Sequence, residues 1–170
     1  DTYTSINLSK VKLSGIELAS EFEIYENLFF NTAVTYQYGR QQASPTAAEG
    51  WYEPATPLTA VLGLRYELPE NDLEFEVFGT FAAGPEHRHN PDAFKPDGYA
   101  IFDAFTKWKP TEDIEITAGI QNIFDTRYFP NTLNGYNMPG VPGGTNAGNA
   151  PPELQTGPGR TFKVGASVKF

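Results

Sequence analysis

Apolar and polar residues alternate along most of this 170-residue chain. Towards the C-terminus, every second position from Phe162 to Phe170 is apolar, and polar or small residues lie between them. A period of two residues is typical of a β-strand with one apolar and one polar face. The alternation predicts seven strands, at residues 9–25, 28–38, 57–67, 73–82, 98–109, 114–123 and 160–170.

The predicted connections alternate between short and long, which places every short turn at one rim of an up-and-down barrel. Strands of about 9–11 residues suit a tilted crossing of a bilayer. The sequence therefore predicts an all-β fold, a transmembrane antiparallel up-and-down β-barrel. The predicted short turns are 26–27, 69–72 and 110–113, and the predicted long polar loops are 39–56, 83–97 and 124–159.

The two faces of the predicted strands differ in chemistry. An Arg or Lys that faced lipid near the bilayer midplane would cost about 2–4 kcal/mol, so the apolar face is predicted to point outward and the charged face into the lumen. Hairpin geometry places Arg65 opposite Glu74 and Lys107 near Glu115. Aromatic residues lie near the strand ends, as interfacial girdles would require: Tyr66, Trp108 and Phe170 at the short-turn end, and Tyr36, Tyr38, Phe81 and Phe102 towards the other.

Composition narrows the possible functions. The chain has 12 Lys+Arg against 21 Asp+Glu, a formal charge of −9, and this balance is unsuited to a nucleic-acid partner. The absence of cysteine excludes a disulfide scaffold and thiolate zinc sites. Because the chain opens at Asp1 rather than Met, we expect a processed chain or a piece of a longer protein.

The odd number of predicted strands leaves two possibilities. Single-chain outer-membrane barrels close with an even number of strands, and an open sheet would leave unpaired edges in hydrocarbon. Either an eighth strand lies within residues 1–8, or the chain is the C-terminal part of a larger barrel. The second is favoured, because residues 1–8 alternate poorly and no turn separates them from the next strand.

Residues 119–128, Gly-Ile-Gln-Asn-Ile-Phe-Asp-Thr-Arg-Tyr, resemble the penultimate-strand signature of TonB-dependent outer-membrane receptors. Residues 158–170, from Pro-Gly-Arg-Thr-Phe to the terminal Phe, resemble the final strand of that family. Further matches follow in the family's order at 15–18, 57–67 and 98–103.

The resemblance implies that residues 1–170 are the C-terminal portion of the receptor barrel, contributing the last seven strands of a 22-stranded barrel. It implies an N-terminal plug domain that this chain does not contain, a location in the bacterial outer membrane in contact with its lipid, and uptake energised by the TonB complex. The implied cargo is an iron carrier, haem or a ferric siderophore, or else cobalamin. The Pro-Gly-Arg-Thr-Phe ending is more similar to haem, haemoglobin or cobalamin receptors than to siderophore receptors.

The last strand carries a predicted assembly signal. A C-terminal aromatic on an alternating apolar strand resembles the signal read by the outer-membrane assembly machinery. The alternative is that the terminal residue is an ordinary girdle aromatic. The residues concerned are Phe162, Val164, Val168 and Phe170.

Four loop residues are candidate ligand contacts. His87 and His89 are the chain's two histidines, and a neutral imidazole can ligate haem iron. The favoured alternative is that they form a solvated polar loop tip; they could also bind a stray divalent ion together with Glu86 and Asp92. Tyr128 and Tyr136, in the last long loop, suit a flat apolar ligand but could instead pack that loop down.

The polar residues Asn122 and Asp125 are predicted to satisfy backbone groups where their strand ends. The chain contains no nucleophile elbow, no His-Glu-x-x-His motif and no phosphate-binding loop, so no catalytic residue, metal site or cofactor is predicted. Two alternatives stay open beside the receptor interpretation. One is a small complete barrel acting as a passive pore or structural protein, and the other is a soluble lipid-binding barrel with its apolar face inward.

Overall fold

The computed structural model describes residues 10–42, 44–52, 58–84, 97–130 and 156–169. Over these ranges the chain forms one antiparallel sheet of eight strands and a single turn of 3-10 helix at Pro69–Asn71. The order across the sheet is β1-β2-β4-β5-β6-β7-β8, and β3 pairs with β2 beside this path. The strands are β1 (Lys10–Tyr25), β2 (Leu28–Gln42), β3 (Gly50–Trp51), β4 (Leu58–Leu68), β5 (Leu73–Ala82), β6 (Tyr99–Thr111), β7 (Ile114–Gln121) and β8 (Thr161–Val168).

The predicted all-β antiparallel architecture is confirmed, and each of the seven predicted strands has its counterpart. The boundary of the loop predicted at 39–56 is wrong, because β2 continues to Gln42 and β3 forms inside that loop. The backbone N–H of Tyr52 donates to the carbonyl of Gly39 at 3.1 Å, and the Gln42 amide donates to the carbonyl of Ala47 at 2.8 Å. The loop therefore folds back and satisfies polar groups of the β2 end.

The short turns rely on residues that tolerate a left-handed backbone. Asn27 has φ 59° and Asp72 has φ 49°, and Asn and Asp adopt this conformation more readily than other non-glycine residues. The third turn is shorter than predicted, since β6 runs to Thr111 through an irregularity that begins after Trp108. A β-bulge of this kind shifts the partner of every residue beyond it.

The register places a continuous row of apolar residues on one face of the sheet. Ile16 lies opposite Tyr36, and Val77 lies opposite both Leu64 on β4 and Ala104 on β6. Across the far end of the sheet, Ala118 lies opposite Val164. Because side chains alternate with period two, these pairs join strands β1 to β8 into one continuous apolar face.

This apolar face is uncovered. Ile16 is 75% exposed and Val164 is 84% exposed, whereas Ala82 is the one buried hydrophobic side chain among the described residues. A soluble lipid-binding barrel would bury such a face in its interior, so the exposed aliphatic face argues against that alternative. No helix in the described ranges is long and apolar enough to cross a membrane.

The described sheet is open, with β1 at one edge and β8 at the other. In hydrocarbon, no water is present to satisfy the unpaired N–H and C=O groups of such edges. Closure in a bilayer therefore requires strands in addition to the described ones.

Candidate functional site

Strand β7 ends in a tight polar turn at the long-loop rim. Asn122 follows its last residue with φ 50°, and Asp125 has φ 54°. The N–H of Asp125 donates to the carbonyl of Asn122 at 2.8 Å. Two left-handed residues within four positions turn the chain sharply out of the sheet at the start of the last long loop.

The Asn122 side chain ties the beginning of that loop to its end. Its Nδ2 donates to the carbonyl of Thr126 at 2.8 Å and to the carbonyl of Pro158 at 3.1 Å, while its Oδ1 accepts from the N–H of Thr126 at 2.8 Å. The residue is 2% exposed. These bonds confirm that Asn122 satisfies backbone groups where the strand ends.

Strand β6 anchors the same turn. The N–H of Asn122 donates to Oδ1 of Asp103 at 2.6 Å, and the N–H of Ile123 donates to the carbonyl of Phe102 at 2.8 Å. Asp103 lies on the polar face of β6 and is 6% exposed. A hydrogen bond to an ionised carboxylate is stronger than one between neutral groups, so Asp103 holds the turn firmly against the barrel wall.

Asp125 connects the turn to the beginning of β8. Its Oδ1 accepts from the N–H of Arg160 at 2.8 Å. A Cβ on residue 159 would lie only 2.9 Å from Oδ1 of Asp125. Glycine, which has no Cβ, lets the backbone approach this oxygen. The backbone of Arg160 supplies this contact, and Asp125, like Asn122, satisfies a backbone donor as predicted.

Tyr128 packs against the closing end of the loop. Its carbonyl accepts from the N–H of Gly157 at 2.8 Å, and its ring lies so close to Gly157 that a Cβ there would overlap it. The ring also packs on Tyr99, with centroids 4.7 Å apart. Burial, and secondarily the carboxylate of Asp103, raises the pKa of Tyr128 above its ordinary value. Of its two predicted roles, the described contacts are those of a residue that packs the loop down.

These residues, Asp103, Asn122, Asp125, Tyr128 and Gly157, form what we call the loop base. The loop base brings together three segments that are distant in sequence, namely the middle of β6, the end of β7 and the approach to β8. Sequence reasoning identified Asn122 and Asp125 but missed Asp103 and Tyr99. Their residue types resemble those of many other polar-face and rim positions, so the sequence carried no local signal of this role.

Charged side chains line the polar face below the loop base. Arg65 contacts Glu21 on β1 at 3.2 Å and also Glu67, and its guanidinium carbon lies 4.3 Å from the centre of the Phe29 ring. The predicted partner was wrong, because the register places Arg65 opposite Glu76 rather than Glu74. The last pair of the β4–β5 ladder is Leu68 with Leu73, so residues 69–72 form the connection without pairing. The partner of each β4 residue is therefore two positions further along β5 than predicted.

The second predicted pair is also wrong. Lys107 lies opposite Thr117, and its Nζ is 3.0 Å from Oε2 of Glu74 on the other neighbouring strand. Lys109 is the lysine near Glu115, with 3.8 Å between Nζ and Oε2. The bulge after Trp108 changes which residues of β6 and β7 lie opposite each other near the turn. Lys107, Lys109 and Glu115 nevertheless stay on the predicted polar face.

A separate polar cluster lies at the β1–β2–β3 end of the long-loop rim. Nζ of Lys12 is 2.9 Å from Oε1 of Glu49, and the guanidinium carbon of Arg40 lies 3.8 Å from the centre of the Trp51 ring. The hydrogen bond from Lys12 lowers the pKa of Glu49.

Several predicted functional residues lie outside the described ranges: His87, His89, Tyr136 and Phe170. The other members of the predicted assembly signal, Phe162, Val164 and Val168, lie on the exposed apolar face of β8. Their role as a signal stays a prediction. Within the described ranges, no group of three or more His, Cys, Asp or Glu side chains could hold a metal ion.

Comparisons with known proteins agree with this architecture. The sequence profile described as "TonB dependent receptor-like, beta-barrel" matches residues 1–123. The probable hemoglobin and hemoglobin-haptoglobin-binding protein 4 of Haemophilus influenzae is 25% identical over 99% of this chain and 18% of its own length. The hemoglobin and hemoglobin-haptoglobin-binding protein of Haemophilus ducreyi is 24% identical over 99% of this chain and 20% of its own length.

Solved structures show the same fold. The copper transporter OprC superposes with a TM-score of 0.72 at 20% identity, covering 94% of this chain and 24% of the transporter. The FrpB iron transporter from Neisseria meningitidis, F3-3 variant, superposes with a TM-score of 0.67 at 18% identity. This match covers 94% of this chain and 23% of the transporter. The chain thus spans about a fifth of the length of the curated relatives it matches. With an exposed apolar face, a charged polar face and a family profile over most of its length, the chain belongs to the TonB-dependent receptor β-barrel family.

Proposed function

We propose that this chain is the C-terminal part of the barrel of a bacterial outer-membrane receptor that takes up scarce iron carriers. Haem, free or bound to haemoglobin, is the favoured cargo, ahead of ferric siderophores and cobalamin. The observation that carries this proposal is the match of 99% of the chain to two relatives named for haemoglobin binding. Uptake would be energised through the TonB complex, and an N-terminal plug domain would fill the lumen.

The two faces of the sheet support a membrane location for this receptor. The apolar face presents uncovered aliphatic side chains, as contact with the lipid of the outer membrane requires. The opposite face carries Arg65, Lys107 and their carboxylate partners, which suit a wet or plug-filled lumen. An uncharged band on one face and paired charges on the other is the arrangement of a barrel wall.

The loop base supports a role in binding and transport rather than catalysis. The amide of Asn122 and the Oδ1 atoms of Asp103 and Asp125 all bind backbone groups of the chain itself. These contacts fix the ends of the last long loop, on which Tyr136 lies, at the rim where cargo would arrive. The function of the loop base is therefore to position a binding loop.

Growth and binding test the proposal together. A strain that lacks the complete receptor should lose growth on haem or haemoglobin as its sole iron source and keep growth on a ferric siderophore. The complete receptor, purified in detergent, should bind haem in equilibrium titration. A strain without TonB is the matched control, because its cells should still bind haem at the surface but fail to import it. Growth on haem that does not depend on the receptor, together with no haem binding in vitro, would overturn the proposal.

A further inference from the structure

Three cations lie on the outer face of the sheet at the long-loop rim. Lys12 is paired with Arg40, and Lys10 with Gln42, in the β1–β2 ladder. Period two places Lys10, Lys12 and Arg40 on the same face as Ile16 and Tyr36. This outer-rim cluster therefore lies on the opposite face from Arg65 and Lys107, away from any cargo that passes through the lumen.

The height of the cluster is set by the apolar band beneath it. Arg40 follows Tyr38 by two residues on β2, about 7 Å further along the strand. Tyr36 and Tyr38 are both exposed on the outer face. Aromatic rings prefer the level of lipid headgroups, so charges one step beyond them lie where headgroup phosphates are found.

The cluster carries an excess of positive charge. Its carboxylate is Glu49, which Lys12 contacts and which Lys10 and Arg40 also influence electrostatically. Among the described residues, three of the chain's 12 Lys+Arg thus surround one carboxylate, in a chain whose formal charge is −9. A local positive field on an acidic protein favours an anionic partner.

Trp51 orients the arginine of this cluster. The guanidinium carbon of Arg40 lies 3.8 Å from the centre of the indole ring, which is a cation–π contact. The five N–H donors of arginine form a planar fork that matches the oxygens of a phosphate. A guanidinium held against the ring can therefore donate two hydrogen bonds to one phosphate beside the barrel wall.

We propose that the outer-rim cluster of Lys10, Lys12 and Arg40 binds the phosphate-bearing headgroup of an anionic membrane lipid. The proposal rests on the membrane location given under the proposed function, but not on the identity of the cargo. The lipid tails would lie along the apolar face below, beside Ile16 and Tyr36, while the cations hold the headgroup. This continuity between an apolar face and a cationic rim favours a lipid over a soluble anion.

The test uses the complete receptor, purified in detergent and analysed by native mass spectrometry. Phosphatidylglycerol, which carries a net negative charge, is compared with zwitterionic phosphatidylcholine. The test variant is Lys10→Gln/Lys12→Gln/Arg40→Gln. The matched control, Lys109→Gln/Lys163→Gln/Lys169→Gln, removes the same charge away from the outer-rim cluster.

Wild type and the control variant should both prefer the anionic lipid, and the test variant should lose that preference by about tenfold. Haem titration and heat-modifiable mobility of the barrel should be the same in all three proteins. If the test and control variants preferred phosphatidylglycerol over phosphatidylcholine to the same extent, the proposal would be overturned. Displacement of the lipid by millimolar inorganic phosphate would also overturn it, because the site would then bind a free anion. Failure of haem binding in wild type would count against the proposed function alone, since the lipid measurement does not involve cargo.

Discussion

Replacing Asn122 by Ala tests whether one side chain holds the last long loop to the barrel wall. The substitution removes three hydrogen bonds, two from Nδ2 to carbonyls and one to Oδ1 from an amide. It leaves the N–H and C=O of Thr126 and the C=O of Pro158 without these partners in a site that is nearly inaccessible to water. The backbone at this position also keeps φ 50°, which alanine tolerates less well than asparagine.

The expected loss of stability follows from these contacts. Each hydrogen bond contributes about 1 kcal/mol net, so three contribute about 3 kcal/mol. The left-handed backbone adds about 1 kcal/mol for alanine. We therefore expect the loop base to become about 4 kcal/mol easier to open. Since 1.4 kcal/mol corresponds to a factor of ten, local opening should become more frequent by about two to three orders of magnitude.

Hydrogen exchange measured by mass spectrometry on the complete receptor reports this opening. The amide of Gly157 is the best probe, because it bonds to Tyr128 and makes no contact with the Asn122 side chain in the described set of hydrogen bonds. Peptides spanning 122–130 and 156–161 should exchange faster, while those from β4 and β5 should be unchanged. Asn71→Ala, at an exposed position in a turn between β4 and β5, is the matched control.

A second variant separates hydrogen-bond donation from acceptance. Asn122→Asp retains an oxygen that can accept from Thr126 but cannot donate to the two carbonyls. It should therefore destabilise the loop base nearly as much as alanine does. Unchanged exchange at Gly157 in both variants would refute the reasoning, because it would mean that the loop ends are held without Asn122.

Four further predictions address the faces, the assembly signal, the ligand and the pH dependence. Spin labels at Leu62 and Val164 should collide with lipid-soluble oxygen, and labels at Glu76 and Lys163 with a water-soluble nickel chelate; reversed accessibility would contradict the face assignment. Phe170→Asp should lower the amount of heat-modifiable receptor in the outer membrane without changing ligand specificity, and normal levels would remove the signal hypothesis. His87→Ala/His89→Ala should weaken haem binding by about tenfold in equilibrium titration, and unchanged affinity would mark these histidines as loop surface. Because burial raises the pKa of Tyr128, its packing on Gly157 should persist at neutral pH and weaken only as pH rises through that raised value; protection of the Gly157 amide, taken relative to the base-catalysed rate of an unfolded peptide, should fall at alkaline pH in wild type but not in Tyr128→Phe.

The faces of the sheet could be predicted from the sequence, whereas the pairs across it could not. Arg65 was expected opposite Glu74 and lies opposite Glu76, and Lys107 was expected near Glu115 and lies opposite Thr117. Both errors are shifts of two residues. A shift of two leaves every side chain on its face, while a shift of one would move it to the other. The alternation therefore constrains the face strongly and the partner weakly, and the partner depends on turn length and bulges.

Strand β3 was missed for a different reason. Residues 39–52 lie beyond the apolar band, where neither face of a strand is selected for contact with lipid, so the sequence shows no alternation there. Pairing in this segment depends on the backbone, through the bond from Tyr52 to Gly39 and the ladder from Arg40 to Trp51. Backbone pairing leaves little trace in sequence when no side-chain face must be buried.

The loop base shows a third limit of prediction. Residue type alone identified Asn122 and Asp125 as backbone partners, because both tolerate a left-handed conformation and carry short polar side chains. Asp103 could not be assigned to the same group, since it lies in the middle of another strand and meets Asn122 only through the β6–β7 pairing. Local chemistry was predictable, and the contact between distant segments required the register.

The strength of the loop base has a consequence for the loop that it holds. The entropy lost on closing a flexible loop rises by only about 0.6 kcal/mol for each doubling of its length. The Asn122 bonds alone, at about 3 kcal/mol, exceed that increment several-fold. Because the attachment runs through Thr126, Tyr128, Gly157 and Pro158 at the two ends, residues between them can change in number and chemistry without loosening the wall. A fixed base with a variable loop allows one barrel architecture to present different surfaces at the same rim.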